Sequence, residues 1–408
     1  MRVVFLSPGY PAEMPDFVRG LAEVGAQVIG VGEGPAAALP EKSRRALAEY
    51  IQVPKLFDED SLVAHLSAAL RGRKIDRVES LWEPLVHAAA RVRVALGVPG
   101  MSPDTVNGFR DKQLMKERVA RAGLRVPRAA RCRTSAEVRA AAQRFGFPLI
   151  LKPIAGAGSA DTFRCDSQAQ LDDAMKRTQH VTEASCEEFI DGEEYTYDTI
   201  CVDGVPVYEN VCRYLPRPLI ARTNEWISPA VVTVRDLSQP HIQQGIQLGR
   251  GVMKALGMGT GFTHMEWYRK PDGEVVFGEI GCRVGGARLI DQMNFTSDID
   301  LYREWARAVC FGKVQISRPR AFNCAIIFKR AQGQGTIFAI TGLKDYLHRN
   351  RDHIMVDELL RPGQRRRDWK QTLVSDGYLI VRHPTWEGAL ALADDAAQTI
   401  GLFAREGG

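Results

Sequence analysis

Two hydrophobic periods alternate along the first hundred residues. Apolar runs at 2–7, 27–31 and 77–81 are separated by 3.6-residue repeats over 17–24, 62–70 and 85–96. Strands alternating with helices predict an open parallel α/β sheet, whose ligands lie beyond the carboxyl ends of its strands. That rule places Ser7-Pro8-Gly9-Tyr10-Pro11 and Ser80-Leu81-Trp82-Glu83-Pro84 at a cleft, with Trp82 read as core packing. Further along, the pattern predicts a helix at 112–122 ended by Gly123, a strand near 128–132, a helix at 136–145 and another at 171–178. Apolar runs at 195–202 and 205–212 flank Asp203-Gly204 and predict a hairpin. An amphipathic helix follows over 242–256, stopped by Gly257, and a further helix over 302–309. Residues 213–228 show no period and read as a loop. From about 316 the pattern changes to separate strands at 324–328 and 379–382 and a helix at 386–400. The chain therefore divides into an N-terminal α/β domain (1–110), a central body (111–315) carrying an α+β lid over about 125–190, and a C-terminal lobe (316–408).

Composition narrows the class. With 408 residues, 45% of them hydrophobic and 25% charged, the sequence suits two or three globular domains. No apolar run reaches the ~18 residues of a membrane span. Met1-Arg2-Val3-Val4-Phe5-Leu6-Ser7 is too short for a signal segment and reads as a first strand. The eight cysteines form no C-x-x-C pair, so zinc and disulfide frameworks are not expected and a cytoplasmic location is. The net charge is only +5, and Arg365-Arg366-Arg367 and Arg71-Gly72-Arg73-Lys74 read as solvated loops rather than a nucleic-acid surface.

The candidate chemistry lies in three places. Thr263-His264-Met265-Glu266-Trp267-Tyr268 and Val275-Val276-Phe277-Gly278-Glu279 flank Pro271-Asp272-Gly273. A two-residue Asp-Gly turn puts Glu266 directly opposite Glu279, with Cβ atoms roughly 4.5–5.5 Å apart. Bare carboxylates at that spacing repel, and a hard divalent cation removes the penalty. Solvation or nearby Arg and Lys residues would serve as well. Second, Phe147-Pro148-Leu149-Ile150-Leu151-Lys152-Pro153 reads as a strand delivering a lysine beside Gly156-Ala157-Gly158-Ser159. Gly-rich backbone and a lysine suit a phosphate chain, although no P-loop pattern is present. Third, Cys186-Glu187-Glu188-Phe189-Ile190-Asp191-Gly192-Glu193-Glu194 is a short strand with acids at both ends, suited to ribose hydroxyls and an adenine edge, or to a solvated sheet edge.

In this order the pieces resemble the ATP-grasp superfamily, in particular its carboxylate–amine ligases of the L-amino-acid (dipeptide) ligase type. The resemblance rests on Arg110-Asp111-Lys112, Leu151-Lys152-Pro153, Glu187-Glu188-Phe189-Ile190 to Glu194, Thr263-His264-Met265-Glu266 and Gly278-Glu279-Ile280-Gly281-Cys282-Arg283-Val284-Gly285-Gly286. It implies an N-terminal open parallel α/β domain, an α+β lid, a central antiparallel sheet and a small C-terminal α+β lobe. It also implies ATP with Mg²⁺, or Mn²⁺ in its place, and ligation through an acyl phosphate with release of ADP. Small-molecule carboxylate and amine substrates would be the partners, and a homodimer is left open. A carboxylase using bicarbonate and a non-catalytic ATP-binding scaffold are the alternatives. By resemblance, Lys112 and Lys152 contact phosphates, and Gly156, Gly158 and Ser159 cover them. Glu188 and Ile190 read adenine with Glu187 nearby, Glu194 or the adjacent Glu193 takes the ribose, Glu266 and Glu279 hold the metal, and Arg283 reaches the transferred phosphoryl group from the Glu279 face of the strand. Where the family usually has Asn, a further metal ligand, this chain has Gly281. Glu83, His264, Arg222, Trp226 and Arg288 are the substrate candidates, with Arg213 and Arg217 beside them as arginines near the cleft that could hold a substrate carboxylate.

Overall fold

The computed structural model describes residues 1–154 and 161–406. The first domain is a four-stranded parallel sheet in the order Glu49–Gln52, Gln27–Gly32, Arg2–Leu6, Arg77–Glu79. Its two middle strands are buried on both faces, which is why they read as continuous apolar runs. The Glu49–Gln52 edge strand is absent from the sequence prediction. Its residues are exposed or half-buried, so it carries no hydrophobic signal. Phe17, from the first helix (Met14–Glu23), packs edge-on against Trp305 at 5.1 Å and Phe262 at 5.8 Å. The first sheet is thereby tied to the body through one apolar cluster.

The lid is a four-stranded antiparallel sheet in the order Ala129–Cys132, Ala184–Glu188, Leu149–Pro153, Phe163–Cys165, with helices Ser135–Phe145 and Gln168–Arg177 on it. The first of these helices starts at a capping box formed by Thr134 and Glu137. Along Leu149–Pro153, Leu149 and Leu151 enter the lid core and Ile150 and Lys152 face the other way.

An eight-stranded antiparallel sheet forms the body. Its order is Val275–Gly281, Gly261–Arg269, Glu193–Val202, Val205–Leu215, Ala230–Thr233, Asn323–Phe328, Tyr378–His383, Ile354–Asp357. The last three strands come from the C-terminal segment, so residues beyond 316 extend the body's own sheet, with a separate two-stranded ribbon beside it. One face packs on helix Pro240–Leu256 through Tyr195, Tyr197, Met265 and Trp267. Gly245 and Gly249 allow that approach. A Cβ at either would lie 2.2 Å from Trp267 or Tyr197. The opposite face is apolar at Phe262 and Ile200, which join the first domain's cluster, and polar toward the hairpin. There Tyr268 pairs with Glu194, Glu266 with Thr196 and His264 with Asp198, and Glu266 also faces Glu279 of a third strand.

The hairpin turn differs from the sequence reading. Lys270 N–H donates to Glu274 O at 2.9 Å and Gly273 N–H to Lys270 O at 2.9 Å, giving a three-residue loop with Gly273 at φ +89°. Trp267 therefore faces Phe277, one residue off the register of a two-residue turn. A bulge at Gly278 restores the register, and Glu266 still faces Glu279. A Cβ at Gly278 would lie 2.8 Å from Glu266 O, so the bulge requires glycine. Residues 213–228 also depart from the predicted loop: the strand continues to Leu215 and Pro218–Thr223 is helical. Pro218 sets the first-turn φ of a helix too short to show a period.

Candidate active site

Lid and body enclose a cleft of about 810 Å³, measured to its open mouth. Lys112, Lys152, Glu187, Glu194, Glu266 and Glu279 line it, with Glu188 and Ile190 at the lid edge. The lysines are placed by local rules. Asp111 caps helix Lys112–Arg121, accepting from Gln113 N and Leu114 N at 3.0 Å each, which fixes Lys112 at the first helical position. Lys116 follows one turn later on the same face. Lys112 Nζ lies 3.5 Å from Glu279 Oε2, and Lys152 Nζ approaches the same oxygen at 3.7 Å.

Beneath them is an ion hub that the sequence reading lacked. Glu187, its side chain 5% exposed, accepts from Lys116 Nζ at 2.8 Å, Lys152 Nζ at 3.1 Å and Ser185 Oγ at 2.7 Å. Burial opposes charge on Glu187, but Lys116 and Lys152 outweigh it and hold the carboxyl well below the usual carboxylate range. Burial likewise opposes charge on Glu279, and Lys112 and Lys152 bring that carboxyl down to about 2. Burial would lower Lys152, yet Glu187 and Glu279 carry it above the usual lysine range. Lys116 is brought to about 8 by burial, only partly countered by Glu187. Glu187 is thus the shared ion partner of Lys116 and Lys152. The available signal was Lys112-x-x-x-Lys116, an i,i+4 repeat on a capped helix.

These shifts have a stability sign. A carboxylate lowered in the folded state contributes stability that is fully present above its unfolded value and is lost as the pH falls below it. For Glu187 and Glu279 the loss starts below 4.5 and, for Glu279, runs toward 2. The melting temperature of the ligand-free protein should therefore fall steeply through that acid window. The Glu187→Gln variant should show a flatter acid limb, which calorimetry across the window reads directly.

On the sheet face, His264 Nδ1 is 2.6 Å from Asp198 Oδ1, and His264 Nε2 is 3.8 Å from Glu266 Oε1. Burial opposes the imidazolium, but Asp198 raises it to about 9. Tyr214 OH donates to Glu266 at 3.3 Å. Glu194 accepts from Arg217 Nε at 3.1 Å; burial, then the charge of Glu266, push its carboxyl up to about 8. Arg217, one of the four arginines placed near the cleft from sequence, lies over Phe189 at 5.1 Å and Tyr268 at 5.0 Å on the cleft wall. Glu193 is bound by Arg213 at 2.7 Å and lies outside the cleft lining, so Glu194 is the acid that faces it. The Glu188 side chain is taken by Arg125 at 3.0 Å and Arg128 at 3.3 Å.

Arg283 does not share a strand with Glu279, because the strand ends at Gly281. Its Nε donates to Glu83 Oε2 at 3.0 Å, and Arg110 Nε lies 3.6 Å from the other Glu83 oxygen. A Cβ at Gly281 would stand 3.3 Å from Arg283 Cγ and 3.4 Å from Glu83 Oε2. Gly281→Asn should therefore fold but push its amide into this pair. We expect a rise of about tenfold or more in substrate KM, the scale of one charged hydrogen bond, with little change in Mg²⁺ dependence. Steady-state titrations of both substrates and metal separate the two effects.

Other sequence candidates lie elsewhere. Arg288 is held by Asp291 at 3.3 Å and Asp16 at 3.6 Å. Arg222 donates to Lys370 O at 2.7 Å, and Trp226, 82% exposed, lines a separate cavity. Neither is in the cleft lining. Gly156, Gly158 and Ser159 lie outside the described residues.

Residues 111–192 match the carbamoyl-phosphate synthase L chain ATP-binding domain family. The chain is 24% identical over 234 residues to the L-arginine-specific L-amino acid ligase of Bacillus subtilis, covering 56% of each; it thus spans little more than half that relative's length. The solved L-amino acid ligase from Bacillus licheniformis has the same fold at a TM-score of 0.79, 18% identical and covering 98% of both chains. The biotin carboxylase domain of the Hydrogenobacter thermophilus 2-oxoglutarate carboxylase, solved with MgADP and bicarbonate, aligns at 0.70 and 16% identity, covering 98% of this chain and 90% of that one. The family match over residues 111–192 and the fold over the whole chain agree, and the chain has the ATP-grasp fold.

Proposed function

We propose that the protein is an ATP-dependent ligase that joins the carboxylate of one amino-acid-like molecule to the amine of another, releasing ADP and phosphate. The observation that carries this reading is the Glu279 carboxylate shared between Lys112 and Lys152, opposite Glu266, in one cleft. Phosphoryl transfer needs positioning and charge neutralisation more than covalent chemistry from the protein. The two lysines would donate to the triphosphate from the helix and lid sides. Glu188 and Ile190 backbone would meet the adenine edge, and Glu194 the ribose hydroxyls. Gly156, Gly158 and Ser159 are proposed to cover the phosphates.

Glu266 and Glu279, paired on the cleft face, fit a hard divalent cation, and Mg²⁺ held there would neutralise phosphate charge. An oxygen of the acid substrate attacks the γ-phosphorus, and the bond to the β–γ bridging oxygen breaks with its electron pair leaving on ADP. The amine then attacks the acyl carbon, phosphate departs with the C–O electron pair, and the nitrogen loses a proton. Glu83 and Arg283 offer a carboxylate for an ammonium and a guanidinium for an oxyanion, the two charged ends of an amino acid.

A phosphate-release screen of amino-acid pairs, with mass spectrometry of the products, tests the reading. The expected product is an amide formed with one ADP and one phosphate per bond. Stoichiometric AMP would overturn it, and a strict bicarbonate requirement would assign the cleft to carboxylation.

A further inference from the structure

A second cavity, of about 1130 Å³ to its mouth, opens where residues 225–228 meet the C-terminal segment. Its wall holds a surplus of positive charge. Lys329 is 3% exposed, and its Nζ donates to Ala396 O at 3.1 Å and Ala397 O at 2.8 Å, the last-turn carbonyls of helix Trp386–Thr399. Those contacts use two of the three ammonium donors and suit a helix carboxyl end. Among the described residues no carboxylate lies within ion-pair distance of Lys329. The same holds for Arg330, which donates to Ala221 O at 2.7 Å and Asn224 O at 2.8 Å and lies over the Trp369 ring at 4.3 Å. Arg366 is balanced by Asp376 and Glu225.

A buried lysine and an adjacent half-buried arginine with no carboxylate at ion-pair distance are costly unless something compensates them. Burial lowers Lys329 to about 8; burial, then Arg222, lower Arg330 to about 10, with Glu225 and Asp376 only partly countering them. The rim is neutral and polar: Gln332, Gln334 and Gln398 make no side-chain hydrogen bond to the described residues. Neither Lys329 nor Arg330 lines the nucleotide cleft.

We propose that this cavity is a binding site for a small oxyanion-bearing molecule, a carboxylate or a phosphate ester, with its anionic group on Lys329 and Arg330 and its neutral polar part against the glutamines. Size fits, since the enclosed space is about 530 Å³ and small-molecule sites enclose roughly 300–1,000 Å³. The proposal does not depend on the reaction assigned to the cleft. Residues 217–226 connect the two sites, however: Arg217 and Leu219 line the cleft, and Glu225 and Trp226 line the cavity.

The test uses the full chain with saturating MgADP, titrated by calorimetry with inorganic phosphate and, separately, with citrate. Saturable binding of either probe is expected, and the probe that binds distinguishes the two oxyanion sources. Binding should weaken by about tenfold or more in Arg330→Met and Lys329→Met, the scale of a lost charged hydrogen bond. Gln332→Glu, at an exposed position that leaves the core untouched, should also weaken it by placing a carboxylate beside the cations, and should raise the melting temperature of the probe-free protein. No binding of either probe, or binding unchanged in Gln332→Glu and in whichever methionine variant folds, would overturn the proposal.

Discussion

Glu279→Gln should lower turnover by about a thousandfold, because a neutral amide replaces the carboxylate proposed to hold Mg²⁺ and several kcal/mol of charge stabilisation are lost. Two facing carboxylates considered alone would predict a more stable ligand-free protein. The structure reverses that sign. Lys112 and Lys152 both approach Glu279, so the amide leaves two ammonium groups short of a counter-charge. The ligand-free variant should therefore melt lower, by a modest amount of about 1 kcal/mol, since the Glu279 side chain is 27% exposed. Turnover that survives with unchanged Mg²⁺ dependence would remove Glu279 from the metal site.

Glu187→Gln should have the largest effect on stability. It strips the shared counter-ion from Lys116 and Lys152, whose side chains are 3% and 15% exposed. Breaking a buried pair by removing one partner costs about 3–5 kcal/mol. Turnover should fall as well, because Lys152 loses the partner that fixes its position. Adding Lys116→Met to Glu187→Gln should recover part of the stability by removing one orphaned charge, without restoring turnover. Full stability in the single variant would show that the hub is not what holds the lysines.

Long, buried or capped elements were legible in the sequence. The parallel strands, the Lys112 helix and helix Pro240–Leu256 all announced themselves by period or cap. The edge strand Glu49–Gln52 did not, because its exposed residues carry no apolar pattern. The Glu266–Glu279 pairing was predicted through a turn of the wrong length, and an unforeseen glycine bulge supplied the compensating residue. Site residues quoted with motifs, such as Lys152 and Glu194, meet in the cleft. Lys116 escaped notice because its role depends on Glu187, far along the chain, and Arg217 was named only as one of four arginines near the cleft, without its partner Glu194. Arg222 and Trp226 were selected for lying in an aperiodic segment, which fixes neither their direction nor their neighbours.

The central claim is that the cleft transfers a phosphoryl group to a carboxylate oxygen. Labelling the carboxylate of the acid substrate with ¹⁸O and following the products by mass spectrometry tests it most directly. An acyl-phosphate route carries one labelled oxygen into the released inorganic phosphate, with unlabelled ADP as the nucleotide product. Label in AMP, or amide formation with wholly unlabelled phosphate, would contradict the account.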